Sequence, residues 1–197
     1  MRSTGSSVVP RLGSTPYSAA QLRTATAALD LFAAHGVSGT SLQMIADATG
    51  VTKAAVYHQF KTKDAIVVAA VDVELGRLEP ALEAAEASDR SDIGEVGALL
   101  GQVIDLAIGR RRLVSTLQHD PVIVRLLAQH EPFQHFMERL FRVLLGDRDN
   151  AKGRTRAAMV ASAIGGAVTH PLVADLDDGT LRSELLDLSL RFLALED

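Results

Sequence analysis

The chain has 197 residues, 47 % of them hydrophobic but only 4 % aromatic, no cysteine, and a formal net charge of -4. That length suits one compact unit or two small ones sharing a core, and the Ala-, Leu- and Val-rich interior favours helices packed on helices. Disulfides and thiolate metal sites are excluded, no secretory core follows Arg2, and the longest small-apolar run, 157–168, is too short to span a bilayer, so a cytoplasmic protein is expected.

Residues 1–16 are rich in Ser, Gly, Thr and Pro without periodicity, and read as a disordered arm. Arg2 and Arg11 could reach a minor groove from such an arm; the plainer reading is a passive tail. A first helix then has a clear start. Ser18 and Gln21 have capping-box spacing, Tyr17 and Leu22 a hydrophobic staple. Leu22, Ala25, Leu29, Phe32 and Ala33 follow as a stripe at helical spacing, and Gly36 ends it.

Ser41 to Lys63 reads as two short helices split by a glycine turn. Thr40 and Gln43 have the spacing of another capping box, and Leu42, Ile45, Ala46 and Thr49 form one stripe. Gly50 stands where a left-handed residue closes a helix. Thr52 is the N-cap of a second helix, Lys53 to about Gln59, whose inner face is Ala55, Val56 and Phe60. This is a helix-turn-helix, in which the second helix can enter a major groove.

The stretch GVTKAAVYHQFKTKDAI resembles the recognition-helix signature of the TetR family of transcriptional regulators. Gly50, Val51, Tyr57, Phe60, Lys63 and Asp64 carry the resemblance, with the Gly36 to Thr40 run upstream; it covers about Ser18 to Val71. One departure is Tyr57-His58-Gln59-Phe60, which changes the polar detail but keeps the spacing. The resemblance implies a homodimer through the last two helices, bound to an operator and responsive to a small-molecule effector in the body.

Charge is divided unevenly. Up to Lys63 there are 6 basic and 2 acidic residues, beyond it 14 basic and 22 acidic, so a +4 head sits on a -8 body and the two sum to -4. Such a chain can hold DNA at one end and repel it at the other; ordinary unevenness is the bland alternative. By position on the two helices, Thr40, Tyr57, His58, Lys61 and Lys63 are expected on phosphates, and Gln43, Thr52, Lys53 and Ala54 at base edges.

A long helix follows from about Lys63, which Pro80 should kink or end. From Asp89 the chain reads as five or six helices. Asp92 and Glu95 open one carrying Val96, Leu99, Leu100, Val103, Ile104 and Ala107. Arg110, Arg111 and Arg112 read as a solvated helix end that complements the dipole. Asp120–Pro121 caps a short helix, and Pro132 opens one with Phe133, Phe136, Met137, Leu140, Phe141 and Leu144 on its apolar side. After a polar loop at 146–150, a helix of about 151–169 is full of small residues, among them Ala157, Ala158, Ala161, Ser162, Gly165 and Gly166. Gly179 and Thr180 start the last helix. It has two apolar stripes: Leu181, Leu185, Leu188, Phe192 and Leu195, and Leu186, Leu190 and Leu193. A terminal helix apolar on two sides calls for a second subunit.

Catalytic signatures are missing: no G-x-S-x-G elbow, no H-E-x-x-H, no Gly-rich phosphate loop. Glu131 and His135, with His130 beside them, could hold a divalent metal, but ordinary helix-surface or buried histidines explain them as well, and neither metal nor cofactor is expected. His119, Phe133, Phe136, Met137, Phe141 and His170 are the candidate lining of an effector cavity. The expected architecture is all-α: a disordered arm at 1–16, a three-helix DNA-binding domain at 17–63, and a helical ligand-binding and dimerisation domain at 64–197. The expected function is a non-enzymatic, ligand-responsive regulator, a repressor released from an inverted-repeat operator on double-stranded DNA by an apolar or amphipathic effector. The alternative is a helical small-molecule-binding protein without DNA activity.

Overall fold

The computed structural model describes residues 11–15, 17–88, 93–146 and 149–193. Every regular element among them is helical. They are α1 (Ala19–Gly39), α2 (Leu42–Thr49), α3 (Lys53–Gln59), α4 (Lys63–Leu75), α5 (Glu79–Ala87), α6 (Ile93–Gly109), α7 (Arg111–His119), α8 (Pro121–Leu127), α9 (Glu131–Leu145), α10 (Ala151–Ala167) and α11 (Asp178–Phe192). Short 3-10 turns stand at Gly76–Leu78 and Pro171–Val173.

Local side-chain chemistry sets most boundaries. Ser18 and Gln21 form the reciprocal capping box at the start of α1. Gly36 leaves helical geometry with φ 70° and kinks the chain before the last turn of α1. Gly50 closes α2 at φ 68°, the left-handed conformation that costs glycine nothing. Thr52, Thr62, Asp120 and Asn150 each accept a backbone N–H at the start of the helix they precede.

Several expected boundaries shift, each for a tertiary reason. The cap of α2 is Ser41, whose hydroxyl accepts the Met44 N–H at 3.1 Å. Thr40 instead donates its hydroxyl to the carbonyls of Gly36 and Leu31, at 2.8 and 3.2 Å, so no capping box with Gln43 forms. The break after α4 comes at Gly76, and Pro80 sits in the first turn of α5, where its missing N–H is harmless. Arg111 and Arg112 begin α7 rather than ending α6, so their charges oppose the dipole, and Arg111 is answered by Asp178 instead. The last helix is capped by Asp177, two residues before Gly179. Asp92 and Leu195 lie outside the described residues.

Two apolar cores result. One joins α1–α4 through Ala28, Leu29, Phe32, Ile45, Val56, Phe60 and Ile66, and also takes Leu113, Ile123 and Leu127 from α7 and α8. The other holds Leu82, Leu99, Leu100, Ile104, Phe136, Leu140, Val160, Ile164, Leu181 and Leu185. Asp120 strengthens the hold of α8 on α1 within the first core, because one carboxylate oxygen caps α8 while the other accepts the Val37 N–H at 2.9 Å. Head and body therefore meet through packed side chains.

The segment 11–15, inside the stretch expected to be disordered, is docked on the body. Leu12 is 2 % exposed, the Gly13 N–H donates to Asp72 at 2.7 Å, and Arg11 pairs with Glu83. Arg11 is thus engaged by α5 of the body; Arg2 lies outside the described residues. A Cβ on Gly76 would stand 2.7 Å from Gly13 Cα, which is why a glycine serves at that crossing. Beside it, burial and the Asp72 carboxylate push the Tyr17 hydroxyl up to about 12. Among the described residues, no helix is long and apolar enough to cross a membrane.

The buried side of α11 rotates along its length. Leu181, Leu185, Ser189 and Leu193 face inward, while Leu188 and Phe192 emerge at 57 % and 42 % exposure. The single expected stripe from Leu181 to Leu195 is therefore split between core and surface. Ala157 and Gly165 of α10 are buried, whereas Ala158, Ala161, Ser162 and Gly166 are exposed.

Candidate nucleic-acid interface and effector cavity

The second helix of the helix-turn-helix, α3, is held from behind. Val56 and Phe60 are in the core, the Thr24 hydroxyl donates to the Gln59 side chain at 2.8 Å, and Gln21 donates to the Gln59 carbonyl at 3.3 Å. Gln59, the point of departure from the family signature, thus fastens α3 onto α1. The opposite side is open: Thr52, Lys53, Ala54, Tyr57, His58 and Lys61 are all exposed. Lys61 Nζ lies 5.5 Å from the centre of the Tyr57 ring, a cation–π contact that limits the wandering of the ammonium.

Three of the candidate contacts are engaged elsewhere. Thr40 is 1 % exposed and its hydroxyl serves α1. Lys63 donates its ammonium to the carbonyls of Val37 and Thr40, at 2.7 and 3.0 Å, and so closes the C-terminal end of α1. Gln43 is exposed but donates to Asp47, one turn on, at 2.7 Å. The open cluster is therefore Thr52, Lys53, Ala54, Tyr57, His58 and Lys61.

In the body, a cavity of about 280 Å³ opens between α4, α6, α7, α9 and α10. Phe133, Phe136 and Met137 line it as expected. Phe141 lines a separate hollow of about 540 Å³ beside Glu138 and Arg142. His119 is exposed, with its Nδ1 2.8 Å from the Ser115 carbonyl. His170 is exposed too, and accepts the Leu172 N–H at 3.2 Å. Both histidines lie at helix ends, and neither reaches the cavity.

What the sequence did not flag is the cavity's polar wall. Glu74, with its side chain 4 % exposed, accepts Arg110 Nε at 3.0 Å and Arg77 Nη1 at 3.4 Å. Arg110 also reaches Asp30 on α1 at 3.4 Å. The available signal was a pair of charges, Asp72 and Glu74, in the otherwise apolar run from Ala65 to Leu75. As for a metal, no three of His, Cys, Asp and Glu converge among the described residues. His130 has a buried, unpartnered Nε2, and burial holds its pKa below the usual histidine value against the pull of Asp72.

Residues 26–70 match the model of the bacterial regulatory proteins of the tetR family. No curated protein matches the chain. Among solved structures, a TetR-like transcriptional regulator from Rhodococcus sp. RHA1 is similar at TM-score 0.63 and 18 % identity, over 89 % of this chain and 96 % of that one. SmeT, solved as a triclosan complex, matches at TM-score 0.62 and 25 % identity, over 88 % and 91 %. FadR from Bacillus subtilis, solved with stearoyl-CoA, matches at TM-score 0.63 and 18 % identity, over 85 % and 96 %. The tetR model is thus seated on the helix-turn-helix, and the chain around it has the fold of solved TetR-like transcriptional regulators.

Proposed function

We propose that the protein is a cytoplasmic, homodimeric repressor that binds an inverted-repeat operator through α3 and releases it when a small molecule fills the body cavity. The observation that carries the DNA reading is the open face of α3. Thr52, Lys53, Ala54, Tyr57, His58 and Lys61 are exposed together, whereas the neighbouring polar groups Thr40, Gln59 and Lys63 are consumed inside the head. Thr52, Lys53 and Ala54, at the start of the helix, face base edges, while Tyr57, His58 and Lys61 meet the backbone. Gln43 joins them at base edges if it leaves Asp47, and Thr40 and Lys63 act by fixing the ends of α1 and α4. The role calls for no catalysis and no cofactor. Solved relatives carrying triclosan and stearoyl-CoA support an effector of apolar or amphipathic kind.

A gel-shift series with DNA flanking the protein's own gene tests the reading. Lys61→Ala should weaken all sequences equally and reduce the slope of log affinity on log salt by about one. A change in base preference would remove Lys61 from the phosphate contacts.

Release needs an effector that favours a state with wrongly spaced heads. Effector and operator should then each weaken the other's binding by the same factor, roughly 5- to 150-fold. Filling the cavity with Met137→Trp should mimic or abolish the response while leaving α3 untouched. Calorimetric titration with and without operator is the check, and equal effector affinities in the two would show that the body is inert towards DNA.

A further inference from the structure

Next to the apolar cavity lies a second hollow of different character. It is an open cleft of about 370 Å³ between α1 of the head and the α6–α7 junction, lined by Leu29, Asp30, Ala33, Ala34 and the run Ile108 to Leu113. Its charged lining is three arginines, Arg110, Arg111 and Arg112, against the single carboxylate of Asp30. Arg110 and Leu113 line both hollows, so the cleft begins where the apolar cavity ends.

The arginines are incompletely satisfied. Arg110 commits Nε to Glu74 and makes only a long contact to Asp30 through Nη1. Arg111 pairs with Asp178 through Nη2 while its Nε is buried with no partner. Arg112 is exposed. Guanidinium groups with spare donors beside an apolar chamber suit an anion that brings its own apolar body.

From this juxtaposition we infer that the effector is an anionic amphiphile, its apolar body in the 280 Å³ cavity and its carboxylate or similar head in the arginine cleft, with Arg110 gripping the head. The inference rests on the cavity being the effector site. At about 30 Å³ per water, the cavity holds the volume of about nine waters, enough for a short acyl chain or a single ring system. An anion at Arg110 competes with Asp30, the α1 partner of that guanidinium, and so bears directly on the contact between body and head. It also fits the build of α7, whose first residues are cationic where a helix N-terminus already favours negative charge.

The test uses three eight-carbon probes that differ only in the head: octanoate, 1-octanol and octylamine. Each is titrated into the full chain by calorimetry. Octanoate should bind roughly ten- to a hundredfold tighter than octylamine, the span of one charge-assisted hydrogen bond. Arg112→Gln, at an exposed position, should lower octanoate affinity several-fold and leave octanol unchanged. Arg110→Gln paired with Glu74→Gln, which removes both members of that ion pair together, should abolish the preference for octanoate. Asp30→Asn should raise octanoate affinity by up to about fivefold, since it removes only a surface competitor. Equal binding of the three probes would overturn the head-group assignment and leave the cavity reading standing. A preference for octanoate that survives both arginine variants would place the head elsewhere and also overturn it. If no probe binds, the cavity reading falls, and this inference falls with it.

Discussion

Arg139→Met should destabilise the protein by about 3–5 kcal/mol, the usual cost of leaving a buried charge without its partner. Arg139 on α9 is 4 % exposed and spans two carboxylates of α5. It donates to Glu86 twice, at 2.9 and 2.7 Å, and to Glu79 at 2.7 Å. Glu79 is 8 % exposed, and its other oxygen is buried without any partner, so Arg139 is its main support. Removing only the arginine strands that carboxylate in an apolar setting. Removing both charges, with Glu79→Gln added to Arg139→Met, should recover much of the loss.

The pH dependence follows from Glu86. Hydrogen bonding to Arg139, opposed by burial, holds its carboxyl below the usual range. A depressed carboxyl stabilises the fold above its unfolded-state pKa, and that contribution is lost as pH falls through the folded value. The gap between wild type and Arg139→Met should therefore be largest near neutrality and narrow under acid conditions. Urea melts at pH 7 and in mild acid read it directly. A cost below about 1 kcal/mol would mean that the triad's desolvation had already cancelled its attraction.

How legible these features were depended on range. Ser18–Gln21, Gly50 and Thr52 could be read from the sequence because each helix end is decided within four residues. Thr40 and Ser41 could not be separated that way. Both are hydroxyls at one helix start, and what distinguishes them is that α1 takes the hydroxyl of Thr40, through Leu31 and Gly36. Lys63 reads as an exposed cation until the end of α1 is folded against it.

The cavity divides in the same manner. Phe133, Phe136 and Met137 share one side of α9 and could be grouped by spacing, whereas Phe141 lies further round the helix and lines another hollow. His119 and His170 were chosen for residue type, yet their positions at helix ends commit them to nearby backbone. Glu74 and Arg110 lie thirty-six positions apart in sequence, and only the packing of α4 against the α6–α7 junction brings them together. Polar walls assembled from distant segments leave little local signal.

The largest expected functional loss comes from breaking the proposed dimer. Met159 on α10 and Leu188 and Phe192 on α11 are 53 %, 57 % and 42 % exposed, and Leu172 between the two helices is 83 % exposed. That much apolar surface on the last two helices wants a partner, and an isologous contact with a second copy would cover the same patch on both subunits. Each recognition helix would then read one half of an inverted repeat, with the two spaced by roughly 34–36 Å or a multiple of it. Leu188→Glu should give monomers, and operator affinity should drop by about 10²–10⁴, the gain normally conferred by linking two binding modules. Leu190→Glu would be a poor substitute, because Leu190 is half-buried and lies against the Gly97 position of α6. Gly166→Leu discriminates better. A Cβ at Gly166 meets nothing within 4 Å in its own protomer, and glycine is about 0.8–1.0 kcal/mol worse than alanine inside a helix. The substitution should leave the protomer's fold intact or firmer, so any loss of assembly must come from the partner's side. Light scattering and thermal melts on the same samples decide the matter. A well-folded Gly166→Leu protein that is still dimeric would move the interface away from this end of α10, and a monomeric wild type at micromolar concentration would remove the dimer altogether.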